Sequence, residues 1–311
     1  MSARPTLREL VEVQARFGLP SPALVEKDWF VVKALAAVMA ADHGPFQLVF
    51  QGGTALGRAH RLIERMSEDI DIKIVSEGPP PRTALRRLRE SITAELLKAG
   101  FAFDPSNPER RKSNYEGRYT LYRLPFDPIA AGEGALRPEI KLETAAWPSR
   151  RPPIERPVRS FLAEAYDHPP EVAGMPCTAI VETAAEKFVA LSRRAGAELA
   201  GVQRVADPTL VRHIYDLHVT REHYDPAAMI DLAREIMAAD AEAYGGQFPA
   251  YRADPLAETL RAVVGIAASA DQADRYGRFV REMVYGEAPD FETAVGTLQA
   301  IADRLATSGD P

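Results

Sequence analysis

Two acidic residues and a glycine pair in the segment GGTALGRAHRLIERMSEDIDIKI, residues 52–74, have the types and spacing to do chemistry. The alternation Asp-Ile-Asp-Ile predicts a strand with one buried face. Because strand side chains repeat every two residues, Asp69, Asp71 and Lys73 share the other face. Two carboxylates at this spacing can bind a hard cation such as Mg²⁺. A metal held there would lower the pKa of an attacking hydroxyl and neutralise charge on a transferring phosphoryl group.

A third carboxylate for such a site would come from a neighbouring strand. The segment EIKLE alternates in the same way, so Glu139 and Glu143 share one face with Lys141. Either glutamate supplies a candidate ligand. The alternation alone is typical of any strand with one solvated face, so the acidic residues do not identify a function by themselves.

The glycine pair fits the same chemistry. Without a Cβ atom, Gly52 and Gly53 let backbone N–H groups approach a phosphate, and the helix that follows offers its positive N-terminus. Thr54 and Ser67 can add hydroxyl donors. A glycine pair after a strand is also typical of a simple turn. The order strand, Gly-Gly, helix and Asp-x-Asp predicts that the glycines hold a triphosphate and the aspartates its metal ions.

The hydrophobic pattern predicts the elements that position these residues. It indicates an α/β or α+β domain over 1–147, followed by a helical domain over 161–311. A proline- and arginine-rich linker over 148–160 is expected between them. In the first domain we expect a mixed sheet with strands at 46–50, 69–75, 118–126 and 138–146. The helices expected there span 6–17, 21–41, Gly52 to Met66, and 79–100. In the helical domain we expect helices at 178–196, 207–220, 225–243, 254–268, 272–285 and 290–307.

Charge is unevenly distributed along the chain. The net charge of −6 argues against a protein that coats nucleic acid in general. Residues 82–123 nevertheless carry ten Lys and Arg against five Asp and Glu, and residues 148–160 carry four arginines against one glutamate. These two basic segments fit either an ordinary solvated surface or a face that contacts a phosphate backbone.

Several other classes of protein are excluded by the sequence. No apolar run reaches the length of a membrane span, and the N-terminus lacks the apolar region of a signal peptide. Cys177 is the single cysteine, so we expect neither an intrachain disulfide nor a cysteine-based zinc cluster, and we expect a cytoplasmic protein. There is no His-Glu-x-x-His, no Gly-x-Ser-x-Gly and no Walker lysine motif.

The segments GGTAL and IERMSEDIDIKI together resemble the AbiEii family of nucleotidyltransferase toxins, which includes the MenT toxins. Three further segments are similar to motifs of that family, in the same order: VEKDWFVVKAL (25–35), ETAAEKFVAL (182–191) and RHIYDLHV (212–219). The resemblance implies the fold of the DNA polymerase β-like nucleotidyltransferases, with a mixed sheet and a helical C-terminal domain.

The resemblance also assigns residues. It implies that Asp69 and Asp71 bind metal and that Ser67 is the serine just before them. It favours Glu143 over Glu139 as the third carboxylate, because IKLE aligns better with the second motif of the family. The family often has Arg-Asp-x-x-Asp-Leu in its last motif, whereas His213 follows the arginine here.

Two residues of the helical half complete the set that the resemblance implies. Lys187 matches the essential lysine, expected near the triphosphate, and Asp216 matches an active-site aspartate. From the residues alone, Lys187 lies at the border of an apolar stripe and can extend to solvent. Asp216 lies on the polar side of its helix and can form an ordinary i, i+4 ion pair with Arg212.

The family implies a Mg²⁺-dependent enzyme that transfers a nucleoside monophosphate from an NTP, CTP or UTP, to the 3′ end of tRNA and so blocks aminoacylation. It also implies an antitoxin, either an AbiEi-like winged-helix DNA-binding protein or a kinase that phosphorylates the site serine, Ser67. Two alternatives stay open. One is a nucleotidyltransferase that modifies a small molecule, such as an aminoglycoside, or a protein hydroxyl; the other is a degenerate domain that only binds a partner.

Overall fold

A seven-stranded mixed sheet lies in the N-terminal part of the protein. The computed structural model describes residues 4–130, 137–202 and 207–307. Its strands are β1 (Gln47–Gln51), β2 (Asp69–Val75), β3 (Arg111–Asn114), β4 (Tyr119–Pro125), β5 (Glu139–Ala145), β6 (Ile154–Val158) and β7 (Val172–Cys177). Their order across the sheet is β3-β4-β5-β2-β1-β7-β6. The pairs β2–β5 and β1–β7 are parallel and the others antiparallel.

The strand that carries the two aspartates lies in the middle of this sheet. β2 is hydrogen-bonded to β1 on one side and to β5 on the other. Ile70 and Ile72 are fully buried, as the alternating pattern predicts, while Asp69 and Asp71 are only partly buried. The predicted mixed α/β fold with a helical C-terminal part is therefore confirmed.

Five helices accompany the sheet among the described residues before Ala179. They are α1 (Leu7–Phe17), α2 (Pro22–Ala40), α3 (Gly52–Arg58), α4 (Arg82–Lys98) and α5 (Phe161–Ala165). α2 packs against α1, α4, α5 and the strands β2, β5 and β7. Its start follows from the sequence, because the Ser21 side chain accepts a hydrogen bond from the Ala23 amide and Pro22 occupies the first turn.

The helix after the glycine pair is shorter than the apolar stripe predicts. α3 ends at Arg58, and Arg61 then adopts a left-handed conformation with φ 57°. Ile63 and Met66 are still buried, but they are buried from an irregular segment. Apolar spacing reports which side chains are buried, and an irregular segment can satisfy the same pattern, so the prediction of a helix to Met66 was wrong.

The first compact unit extends further than residue 147. The first unit comprises Met1–Arg61 with Arg65–Thr178, and the second comprises Leu62–Glu64 with Ala179–Pro311. The segment expected as a linker contains β6, which pairs with β7. Pro157 in β6 and Pro176 in β7 argue against strands when the sequence is considered alone, so these two strands were not predicted. Proline is tolerated in β6 because β6 is the edge strand of the sheet.

The second unit is helical throughout its described elements. These are α6 (Ile180–Leu199), α7 (Val211–Thr220), α8 (Pro226–Tyr244), α9 (Pro249–Ala253), α10 (Pro255–Ala268), α11 (Ala270–Met283) and α12 (Phe291–Thr307). α6 packs against α7, α8 and α10, with Phe188 fully buried. The six helices expected in this half are present within a few residues of their predicted limits, and the short α9 was not predicted.

No helix in the described ranges combines the length and apolar character needed to cross a lipid bilayer.

Candidate active site

The acidic residues of β2 and β5 are brought together by strand register. Asp71 lies directly opposite Glu143 in the parallel β2–β5 pair, and Asp69 lies opposite Lys141. Because side chains alternate along each strand, Asp69, Asp71 and Glu143 project from the same face of the sheet. The buried isoleucines of β2 project from the other face. The structure thus places all three predicted carboxylates of the first unit on one partly exposed surface.

Glu143 has two polar neighbours on this face. Lys141 forms an ion pair with it, and the Tyr119 hydroxyl donates a hydrogen bond to it. Burial raises the pKa of Tyr119 above its usual range, and the charge and hydrogen bond of Glu143 raise it further. Burial lowers the pKa of Lys141, but the hydrogen bond and charge of Glu143 outweigh that effect and raise it overall. Glu143 therefore lies between a cation and a phenol.

Glu139, the alternative third carboxylate, is the first residue of β5. Its carboxylate bonds Arg123 at 3.0 Å and lies 3.7 Å from Arg110. It is paired in register with Pro125 rather than with a residue of the acidic strand. The structure therefore favours Glu143 as the carboxylate beside Asp71.

The glycine pair lies against the acidic strand. Gly52 has φ 79°, a left-handed conformation that L-residues with a side chain rarely adopt. A Cβ atom at Gly52 would lie 2.7 Å from Asp71 Oδ2, which is too close for any side chain. A Cβ at Gly53 would lie 2.5 Å from Arg65 Nη2 and 2.8 Å from Ser67 Oγ. Glycine is thus required at both positions for the Asp71 carboxylate and the Arg65 guanidinium to approach the backbone.

Thr54 and Ser67 connect the glycine pair to the start of β2. The Thr54 hydroxyl is hydrogen-bonded to Ser67 Oγ at 2.9 Å and also to the backbone carbonyl of Asp69. Thr54 is buried, whereas Ser67 is only partly buried. Both side chains therefore lie where the sequence places them, and the geometry gives Thr54 the additional task of fixing the backbone that carries Asp69.

Arg65 is a residue of this region that the sequence analysis did not single out. It is only 5% exposed, and its Nη1 donates to the Met66 carbonyl at 2.9 Å. Its other terminal nitrogen faces Gly53. A buried guanidinium beside two glycines is suited to binding an anion. The signal in the sequence was an arginine close to the apolar residues Ile63 and Met66, which are themselves buried.

The described residues include no group of three or more His, Cys, Asp and Glu side chains arranged together as metal ligands. The chemistry of the donors nevertheless fits a hard divalent cation, because Asp69, Asp71 and Glu143 offer only carboxylate oxygens. The absence of a Cβ at Gly52 lets Asp71 Oδ2 lie close to the backbone of the glycine pair. Glu143 is also ion-paired with Lys141.

α2 also supports the acidic strand through charged residues in its buried face. Lys27 is 3% exposed and forms an ion pair with Glu68, the residue immediately before Asp69. It also donates to the Arg137 carbonyl at 2.9 Å. Charges are rarely buried unless they are paired. A lysine within an apolar helix was thus the signal for a residue that anchors the entry to β2.

Asp28 forms a second buried contact of α2. It accepts a hydrogen bond from the Phe161 amide at 2.7 Å and lies 3.5 Å from Arg58, the last residue of α3. Burial raises the pKa of Asp28 to about 6, although Arg58 and the Phe161 amide lower it. The helix that follows the glycine pair is therefore held at its far end by a carboxylate from α2.

The second unit brings its two predicted residues into contact. Lys187 on α6 and Asp216 on α7 form an ion pair, with 2.8 Å between Nζ and Oδ2. Asp216 is fully buried and the Lys187 side chain is 9% exposed. Lys187 therefore does not extend to solvent, and the side of α7 that carries Asp216 is buried. The spacing of either helix alone cannot show a contact between them.

The family of the chain follows from comparison with known proteins. Residues 33–297 match the model of the nucleotidyl transferase AbiEii toxin family, type IV toxin–antitoxin system. The match covers more than half of the 311 residues, and the protein belongs to this family. It is therefore a nucleotidyltransferase toxin of a type IV toxin–antitoxin system, an enzyme that transfers nucleotides, and it has an antitoxin partner.

The fold has a counterpart among solved structures. The chain is similar to the nucleotidyltransferase toxin MenT4 from Mycobacterium tuberculosis H37Rv, with a TM-score of 0.53. The sequences are 17% identical, and the alignment covers 95% of this chain and 98% of MenT4. At this identity the likeness establishes the fold alone. No curated protein sequence matches the chain.

Proposed function

We propose that the protein transfers a nucleoside monophosphate from an NTP to the 3′-hydroxyl of tRNA with release of pyrophosphate, in a Mg²⁺-dependent reaction. The observation that carries the proposal is the register of β2 and β5, which sets Asp71 opposite Glu143 on the face that also holds Asp69. The glycine pair adjoins the same carboxylates. Carboxylates beside a phosphate-binding turn suit phosphoryl transfer, in which positioning and charge stabilisation dominate.

Each residue of the first unit has a task in this reaction. Asp69 and Asp71 would hold Mg²⁺, which supplies charge neutralisation and an acidified acceptor hydroxyl. The amides of Gly52 and Gly53 donate to the triphosphate, and the Ser67 hydroxyl adds a donor. The Arg65 guanidinium neutralises negative charge beside Gly53.

Glu143 either completes the acidic set or accepts the proton of the acceptor hydroxyl. The ion pair with Lys141 holds the Glu143 carboxylate on this face of the sheet. Tyr119 orients the same carboxylate by donating a hydrogen bond. Both neighbours fix the position of Glu143 opposite Asp71.

Lys187 and Asp216 are the proposed catalytic residues of the second unit. We assign Lys187 to binding phosphate charge, as the family resemblance implies. Asp216 holds the Lys187 ammonium in place through their 2.8 Å contact. A buried, paired lysine keeps a fixed orientation, which a solvent-exposed lysine does not.

The acceptor and the nucleotide are tested together. The purified protein is incubated with total tRNA, Mg²⁺ and each α-labelled NTP in turn, beside an Asp69→Ala variant. We expect label on tRNA with CTP or UTP, and none with the variant. If no NTP labels tRNA while a drug or a protein becomes labelled, the alternative of a small-molecule or protein acceptor replaces this proposal. If nothing is labelled and NTP binding is independent of Mg²⁺, the protein only binds a partner.

The antitoxin acts by one of two routes in this proposal. A winged-helix protein would regulate as a separate DNA-binding partner, and a kinase would phosphorylate Ser67. Ser67 Oγ is bonded to Thr54 and lies near the position that a Gly53 side chain would fill. A phosphate on that oxygen would place negative charge beside the glycine pair and exclude the triphosphate. We expect both the nucleotide transfer and the action of the antitoxin to take place in the cytoplasm.

A further inference from the structure

A cavity of about 460 Å³ in the first unit is lined by three arginines and one histidine: Arg61, Arg156, Arg159 and His60. The remaining wall consists of Pro157, Pro170 and an alanine. None of these lining residues is acidic. Binding sites for small ligands and cofactors have volumes in this range. Three guanidinium groups around one cavity favour the binding of a phosphate, since the planar fork of arginine matches phosphate oxygens.

The arginines differ in how strongly they are engaged. No ion pair or hydrogen bond of the Arg156 side chain is found among the residues that the structure describes. Arg61 bonds Glu164 at 2.8 Å, but its side chain is 53% exposed. Arg159 lies 3.9 Å from Asp167, whose side chain is almost fully exposed. Exposed ion pairs of this kind are weak, so an incoming phosphate can compete for all three cations.

Arg61 also has an unusual backbone. Its φ of 57° is left-handed, a conformation that glycine or asparagine adopts with less strain. It lies in the turn that leaves α3, next to His60. Strained residues other than glycine concentrate at functional sites. This arginine is thus held at the cavity by a turn that favours a different residue type.

One wall of the cavity, at His60, adjoins the end of the sheet that carries the acidic residues, whereas Arg159 follows Val158, which pairs with Val172 at the start of β7. β1 ends at Gln51, which is paired with Asp71, and the preceding Phe50 is paired with Cys177 of the parallel β7. Thr178 follows Cys177 in the chain, and its carbonyl is hydrogen-bonded to the His60 side chain at 3.0 Å. α3, of seven residues, spans about 10 Å between the glycine pair and this cavity.

His60 contributes a neutral wall. Burial lowers the pKa of His60, and the charge of Arg156 lowers it further, although the bond to Thr178 opposes both effects. The positive charge of the cavity therefore comes from the arginines. A phosphate with an adjoining sugar fits such a site. The guanidinium groups would contact the phosphate, and the imidazole ring of His60 would offer a flat surface to the sugar.

We propose, on the basis of the proposed transfer to tRNA, that this arginine cavity binds a phosphodiester group of the RNA acceptor near its 3′ end. Nucleotides of an extended strand follow one another at several ångströms, and α3 alone spans about 10 Å between the glycine pair and the near wall of the cavity, so the bound phosphate would lie several nucleotides before the terminal hydroxyl. The cavity would fix the register of the strand while its terminal hydroxyl reaches the acidic face. A free phosphate or the phosphates of an NTP have the same chemistry and are separated by the experiment.

The test compares Arg156→Glu with Arg8→Glu, a matched charge reversal at an exposed arginine of α1. Binding of fluorescent tRNA is measured by polarisation over a series of NaCl concentrations, and binding of a fluorescent CTP and of inorganic phosphate is measured separately. We expect Arg156→Glu to weaken tRNA binding about 10-fold or more and to reduce the slope of log K against log salt by about 1. Arg8→Glu should change neither, and CTP binding should be unchanged in both.

Two results would overturn the inference. One is equal tRNA binding by Arg156→Glu and Arg8→Glu, and the other is a loss of CTP or phosphate binding as large as the loss of tRNA binding. If circular dichroism shows that Arg156→Glu does not fold, Arg159→Gln is measured in its place. Failure of the transfer reaction is a separate outcome, because tRNA binding is measured without any NTP. If the protein labels tRNA but Arg156→Glu binds tRNA as tightly as the wild type, only the role of the cavity is rejected. If Arg156→Glu weakens tRNA binding but the wild-type protein does not label tRNA, only the proposed transfer reaction is rejected.

Discussion

Lys187 Nζ and Asp216 Oδ2 lie 2.8 Å apart in the interior of the helical unit, and each charge is almost completely removed from water. Desolvating two charges is costly, and the attraction between them offsets that cost only while both are present. A pair of this kind contributes little net stability, so its retention in the core is better explained by a role in function than by folding.

Removal of one partner of this pair should therefore be more harmful than removal of both. We expect Lys187→Met and Asp216→Leu each to lower the free energy of unfolding by about 3–5 kcal/mol, because each removes one charge of a buried ion pair and leaves the other buried. The double variant should recover most of that loss and yet show no nucleotide transfer. Urea unfolding and label transfer to tRNA are measured on all three variants. Recovery of transfer by the double variant would show that the pair has only a structural role.

A second prediction compares Gly18 with Gly52, two of the glycines with left-handed backbones. Both have positive φ, at 61° and 79°, but only a Cβ at Gly52 meets Asp71. Each change to alanine should cost about 1 kcal/mol of unfolding free energy from backbone strain. Gly52→Ala should in addition reduce transfer about 100-fold, because it displaces the Asp71 carboxylate. Equal transfer rates in Gly18→Ala and Gly52→Ala would show that the contact with Asp71 is unimportant.

The third carboxylate is tested by two glutamines on one strand. Glu143→Gln removes the carboxylate opposite Asp71 and should reduce transfer about 10- to 100-fold, as loss of a group that supports a metal site does. Glu139→Gln removes partly exposed ion pairs with Arg110 and Arg123, which lie away from Asp71, and should leave the rate nearly unchanged. Initial rates at saturating NTP decide between them. The reverse ranking would move the acidic site away from the β2–β5 register.

Asp28 should make stability depend on pH. Its pKa is raised from 3.8 to about 6 in the folded protein, mainly by burial. Between these values the folded state holds a proton that the unfolded state has lost, so the free energy of unfolding falls as pH rises from about 4 to about 6. Relative to Asp28→Asn, the fall should approach about 3 kcal/mol and level off above the folded pKa. Urea unfolding of both proteins across this range is the measurement. Parallel curves would contradict the raised pKa.

Much of the fold could be predicted because local patterns determined it. The alternation of Asp-Ile-Asp-Ile predicted which side chains of β2 share the buried face and which share the other face. The Ser21-Pro22 pair marked the start of α2. Strands β3, β6 and β7 escaped prediction for the opposite reason. β6 is short, carries Arg156 and Pro157, and is stabilised by its pairing with β7 rather than by its own sequence. The same pairing placed the limit of the first unit at Thr178 instead of residue 147.

The site was predictable where residues act within one element and not where they meet across elements. Asp69 and Asp71 share a face because of strand periodicity, which the sequence contains. The contact between Lys187 and Asp216 depends on how α6 packs against α7, which no local pattern reports. Arg65 was missed because its position beside Gly53 depends on the irregular backbone that replaces the end of the expected helix.

The central claim, addition of a nucleotide to the 3′ end of tRNA at the Asp69–Asp71 face, is tested most directly by locating the added mass. Total tRNA is treated with the protein, Mg²⁺ and CTP or UTP, then digested, and its 3′-terminal fragments are weighed by mass spectrometry. The proposed function predicts that these fragments gain one or more nucleoside monophosphates with the wild-type protein and gain none with Asp71→Asn. Unchanged 3′ fragments, or a gain that persists in Asp71→Asn, would contradict it.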